Sequence, residues 1–179
     1  MKIISFLAVF FILSTASAQD KLITKNGKIT FEASVPAFEE VKASNEGASC
    51  VLNAKTGEIA SLVLLKGFRF KIALMEEHFN ENYVESDKYP KATFKGKIEN
   101  FDLSALGKTP KEYTIKGKLE LHGKTNEITI AAKIKKDGGI VDLKSSFSIN
   151  SADFGIEIPS VVSKKVSKKV NVTLDFQLK

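Results

Sequence analysis

Few residues in this chain could do chemistry. It holds two histidines, His78 and His122, one cysteine, Cys50, and one arginine, Arg69. A metal centre usually takes three or four nitrogen, sulfur or oxygen ligands, and two histidines with a lone cysteine argue against one. Cys50 lies in the apolar stretch Ala48 to Leu52, where a small buried side chain is expected rather than a nucleophile. His78 has two candidate roles: a donor fixing the head group of a ligand, or a core histidine satisfied by backbone. His122 stands next to a turn and is expected to face solvent. Arg69, between Phe68 and Phe70, should point outward as a surface side chain. No Ser/His/Asp arrangement, phosphate-cradling glycine loop or paired-carboxylate motif stands out.

Charge adds little to this inventory. The net charge is +6, carried almost wholly by lysine. Bidentate recognition of bases and phosphates favours arginine, so its near absence speaks against a nucleic-acid reader. Lys164, Lys165, Lys168 and Lys169 form a dense basic stretch. A solvated loop accounts for it, as does attraction to a pyrophosphate or an anionic membrane surface.

The elements that must position these residues are strands. Ile29, Phe31, Ala33 and Val35 alternate with Lys28, Thr30, Glu32 and Ser34. The same period of two runs through Ala92–Glu99, Tyr113–His122, Ile128–Ile134, Val141–Ile149 and Val170–Leu178. Clean alternation of this kind marks antiparallel strands with one solvated face. Glu58 to Leu65 is apolar on both faces over Ala60 to Leu65, and Phe68 to Ile72 alternates again. Between Leu74 and Tyr83 the period becomes helical: Leu74, Met75, His78, Phe79, Asn82 and Tyr83 share one side, opposite Glu76, Glu77 and Glu81. That is a short amphipathic helix. His122-Gly123-Lys124 and Asp137-Gly138-Gly139 supply hairpin turns, and Tyr89-Pro90 blocks further helix.

About eight strands with one solvated face call for closure, and a barrel removes the exposed edges. A barrel of this size is either filled by its own side chains or holds one small ligand. The inward rows mix large residues with small ones, as a filled, tapering barrel would. Yet Gly96 and Gly117, both inward, suggest space, because glycine within a strand often marks close approach of something else. A hollow would need little polar chemistry. At roughly 0.8 kcal/mol per buried CH₂, a chain of about twenty carbons gains more than ~10 kcal/mol gross, less the cost of ordering it.

The first 18 of the 179 residues are expected to be a secretory signal. Lys2, the apolar run Ile3 to Leu13 and the small residues of Ala16-Ser17-Ala18 fit that pattern, with cleavage after Ala18. The apolar run is too short to span a bilayer, which takes about 20 residues. Residues 19–179 then form one domain. With a single cysteine it has no internal disulfide, so packing must stabilise it.

Three segments, in order, resemble the YceI-like family. Met75-Glu76-Glu77-His78-Phe79 through Ser86-Asp87-Lys88-Tyr89-Pro90-Lys91-Ala92-Thr93-Phe94 resembles its histidine-containing helix and following strand entry. Ile115 to Thr125 looks like its G-x-L-x-L-x-G-x-T hairpin, and Ile149-Asn150-Ser151-Ala152-Asp153-Phe154-Gly155-Ile156 its late dFG segment. The resemblance spans roughly Lys28 to Leu178. It implies a lipocalin-like extended antiparallel barrel in the periplasm that holds a polyisoprenoid or similar long lipid, and it adds no catalytic residues. There are departures. The family's arginine and aspartate before the helix histidine look replaced by Glu76 and Glu77, and its arginine before the dFG segment by Ser151 or Ala152. An N-terminal histidine has no counterpart near Gly27 and Lys28. These changes point to a less anionic lipid.

The sequence therefore predicts an all-β, lipocalin-like barrel with one short amphipathic helix, exported to the periplasm. It predicts a binding protein for a polyisoprenoid, fatty-acid-like or related lipid, with no cofactor and transient membrane-surface contact. The expected cavity lining is Phe31, Phe68, Phe70, Met75, His78 and Phe79, together with Tyr83, Phe94, Gly96, Gly117, Phe147 and Phe154. Two alternatives stay open: an enzyme using His78 as acid or base on such a lipid, and a filled barrel without ligand.

Overall fold

The computed structural model describes residues 20–179; the expected signal segment, residues 1–18, lies outside them. Eight strands close into one antiparallel barrel: β1 (Lys21–Ser34), β2 (Lys42–Asn53), β3 (Glu58–Leu64), β5 (Lys91–Ile98), β6 (Lys111–Leu121), β7 (Lys124–Asp137), β8 (Ile140–Asn150) and β9 (Val166–Leu178). Their order around the wall is β1-β9-β8-β7-β6-β5-β3-β2, and β2 pairs back onto β1. A two-residue strand, β4 (Arg69–Phe70), continues the β3 side of β2 by pairing Phe70 with Ala43.

β1 from Lys28 onward and β5 to β9 sit where the period-two pattern puts them, while Phe68–Ile72 yields only the two-residue β4, β3 arises from the stretch that is apolar on both faces, and no alternation announces β2. Its buried positions are Ala43 and Asn45, then Ala48, Cys50 and Leu52. The phase flips between Asn45 and Ala48, opposite the register shift at Gly27 of β1. A bulge of this kind adds a residue on one strand and sends later side chains to the other parity. The alternation is therefore broken in the sequence while the inward face stays continuous in space.

The predicted helix is present. It runs as α1 (Ala73–His78) and a π-helical turn over Phe79–Tyr83, closed by the Val84 N–H donating to Phe79 O at 2.9 Å. The β6–β7 hairpin turns on two residues, His122 (φ 52°) and Gly123 (φ 72°). Two positive φ values in succession suit a tight hairpin whose twist matches the strands.

Packing divides the barrel lengthwise. At one end Cys50, Leu52, Ile98, Ile134, Val141 and Leu178 are wholly buried. Phe101 and Leu103, from the β5–β6 connection, pack against this cluster. Burial there pushes the Cys50 thiol up to about 12, because a thiolate has no water to solvate it. The opposite end carries α1 and the loops at residues 35–41 and 155–165, and there inward wall residues such as Phe31, Phe147, Ile149 and Val170 are only half-buried.

Candidate functional site

Above the packed end lies a hollow of about 480 Å³. That falls within the usual range for small-molecule sites, roughly 300–1,000 Å³. Ile115, Ile130, Leu143 and Phe176 line its inner end, where the packed cluster begins. The wall is built by strand alternation: Phe31 and Ala33 from β1, Val63 from β3, Ala92 and Phe94 from β5. Leu119 and Leu121 of β6, Ile128 of β7, Phe147 and Ile149 of β8, and Val170, Val172 and Leu174 of β9 complete it. The hollow reaches solvent at the helix end, where the exposed residues Phe38, Glu39 and Lys165 also line it.

One side is an aromatic cluster joining strand to helix. The Phe31 ring stacks on Phe79 at 5.2 Å and meets Phe68 and Phe70 edge-on at 5.2 and 5.7 Å. Phe79 in turn lies 5.2 Å from Phe70 and 5.8 Å from Phe68. Aromatic pairs contribute about 0.5–1.5 kcal/mol each beyond their buried area, so this cluster holds α1 against the wall. Glu76 fastens the outer side of the helix. Its carboxylate accepts from the Arg69 guanidinium at 3.0 Å and from the Phe70 N–H at 3.1 Å. Arg69 is exposed, and such an ion pair is worth at most about 1 kcal/mol.

Nine of the twelve positions expected to line a cavity do so: Phe31, Phe68, Phe70, Met75, His78, Phe79, Tyr83, Phe94 and Phe147. Three do not. Gly96 and Gly117 face each other across β5 and β6, and a Cβ on either would lie within 2.7 Å of the Phe94 ring tip. The space they leave is taken by Phe94, so these glycines serve a close approach within the wall. Phe154 is fully buried but off the wall.

His122 departs from expectation. Its side chain is only 12% exposed. Nδ1 stands 3.1 Å from the Phe154 carbonyl and Nε2 stands 2.8 Å from the Glu85 carboxylate, while Tyr89 packs edge-on at 4.6 Å. The carbonyl and the carboxylate are both acceptors. The positive φ of the turn swings the ring off the row that strand alternation would assign it. His122 thereby ties the hairpin to the segment leaving the helix. His78, by contrast, is exposed at the mouth and makes no side-chain hydrogen bond among the described residues.

The sequence missed the aliphatic rows of the wall as a lining, because inward Leu, Ile and Val look the same whether they meet a ligand or one another. It also missed Ser151. This residue is 4% exposed and lines the hollow, and its hydroxyl finds no protein partner. Alternation does not mark it, since it follows β8 on a short 3₁₀ turn; the one signal pointing there is its place before the dFG segment, where the resemblance has an arginine replaced by Ser151 or Ala152. The charged wall residues Glu39 and Lys165 stay at the rim. Among the described residues no cluster of three or more His, Cys, Asp or Glu side chains could hold a metal ion, and no helix is long and apolar enough to cross a membrane. The site offers apolar burial, one buried unpaired hydroxyl and polar groups at its mouth.

The model of the YceI-like domain matches residues 19–178. No curated protein matches the sequence. Several solved structures share the fold at low identity. A polyisoprenoid binding domain from Saccharophagus degradans, implicated in plant cell wall breakdown, superposes with a TM-score of 0.78 at 15% identity, covering 89% of this chain and 98% of that one. BcnA of Burkholderia cenocepacia gives 0.70 at 16% identity, over 86% and 96% of the two chains. The YceI protein of Campylobacter jejuni gives 0.64 at 16% identity, over 80% and 86%.

Proposed function

The chain belongs to the YceI-like family, and from that premise and the hollow we propose that it is an exported binding protein for a long apolar lipid. A polyisoprenoid is the leading candidate, since the similar Saccharophagus degradans domain is described as binding one. The observation that carries this reading is the apolar hollow of about 480 Å³, open at one end. Burying chain methylenes at ~0.8 kcal/mol each supplies affinity without any polar constellation. Ser151 is suited to a hydrogen bond with one polar group of the ligand, and the rim groups Lys165 and His78 to its head.

Binding rather than catalysis fits the side chains. His78, the one histidine lining the hollow, has no side chain hydrogen-bonded to it among the described residues, and a general base needs fixed geometry. Export follows from the expected signal over residues 1–18. Lipid extraction of natively purified protein, followed by mass spectrometry, tests the reading. A stoichiometric long-chain lipid is the expected result. A protein that yields none, and takes up neither polyprenol nor fatty acid when offered them, would refute it.

A further inference from the structure

Among the described residues six large hydrophobic side chains are exposed, and three of them stand around the mouth: Phe38 at 48%, Leu74 at 56% and Val161 at 83%. Each neighbours a residue that lines the hollow, Glu39, Met75 and Val162 respectively. Two of these loops are adjacent in space, because β1 and β9 pair and bring Ser34 opposite Val166. Exposed apolar groups gathered at one end of a soluble fold mark a contact surface more than chance does.

The charge beside them selects the partner. Residues 155–169 carry four lysines, Lys164, Lys165, Lys168 and Lys169, against the single acid Glu157. All four are exposed, and among the described residues none forms an ion pair. Beside them on the adjacent loop stand Glu39 and Glu40, the latter 3.7 Å from Lys42, and the helix side of the mouth carries Glu76, Glu77 and Glu81. Apolar tips flanked by lysines match an anionic bilayer, whose surface attracts basic groups while its interior accepts the tips.

We propose that the edge of the mouth formed by residues 35–41 and 155–169 docks on an anionic lipid bilayer. It would hold the opening of the hollow against the membrane from which a lipid is drawn. The proposal rests on the lipid-carrier reading for its purpose, and its test is separate from it.

The chain has no tryptophan, so Val161→Trp places a single reporter at the tip of the edge and Ile140→Trp places one at the packed end. With vesicles of phosphatidylglycerol and phosphatidylcholine, the emission of Val161→Trp should shift to the blue and that of Ile140→Trp should not. Binding should weaken as salt is raised. Replacing Lys164, Lys165, Lys168 and Lys169 by glutamine should lower vesicle affinity at least tenfold, since each lysine near the surface is worth about fivefold. Replacing Lys95, Lys97, Lys116 and Lys118 on the outer wall removes the same charge and should lower it less than threefold. Equal losses in the two sets, or no shift at residue 161, would overturn the proposal. A shift at residue 161 that appears without vesicles and grows with protein concentration would overturn it in favour of contact between copies. Uptake of cis-parinaric acid, measured without vesicles, reports on the hollow independently, so the carrier reading can survive failure here or fail alone.

Discussion

Adding a ring to the wall of the hollow should have a consequence opposite to adding one at the packed end. Ala92 is half-buried, lines the hollow and pairs with Val63. Ala132 is 1% exposed, off the hollow, between Tyr113 and Ser145 on the neighbouring strands. Ala92→Phe projects about six added carbons into open apolar space. Burying them gains roughly 1.5–3 kcal/mol, and fixing the ring takes back about 1 kcal/mol. Stability should therefore hold or rise slightly. The same carbons displace about six methylenes of ligand, a loss near 5 kcal/mol gross, or more than a thousandfold in affinity. Ala132→Phe has no such space, and overpacking should destabilise it by about 1–3 kcal/mol or more. Urea unfolding gives the stabilities, and cis-parinaric acid titration with lipid extraction gives the occupancy. If Ala92→Phe loses as much stability as Ala132→Phe and still takes up the probe, the space is not where ligand sits and the assignment of the wall is wrong.

Two further outcomes follow from single side chains. Burial lifts the Cys50 thiol from 9.0 to about 12, so above pH 9 the unfolded chain releases a proton that the folded one keeps. That contribution to stability is fully present below pH 9 and declines by about 1.4 kcal/mol per pH unit from there toward 12. Cys50→Ala, compared with the parent by urea unfolding at pH 8 and pH 10.5, should gain on it across that interval; a constant difference would disprove the burial argument. His122→Phe keeps the ring but loses the links to Phe154 and Glu85, and chemical denaturation should register a loss of about 1–3 kcal/mol. A variant as stable as the parent would mean that the hairpin is not held there.

The barrel was legible because closure and alternation are local facts repeated along the chain. Each inward row declares itself by period two, the helix by its change of period, and the turns by glycine. Strand β2 was illegible because its bulge flips the parity of Ala43 and Asn45 relative to Ala48, Cys50 and Leu52. No one-dimensional pattern survives that shift. His122 escaped for a related reason: a side chain at positive φ leaves the face its neighbours predict.

The candidate site divides the same way. The sequence by itself determined which side chains point inward, and with them the aromatic set Phe31, Phe68, Phe70 and Phe79. Only the tertiary structure decided that the inward rows pack together at one end and stand apart at the other. Whether facing side chains meet depends on wall curvature and strand stagger, which are summed over eight strands. Gly96 and Gly117 make the point: small residues suggested a void there, yet the ring of Phe94 from the same wall lies across them. Direction is written in each strand, whereas distance across the barrel belongs to the whole sheet.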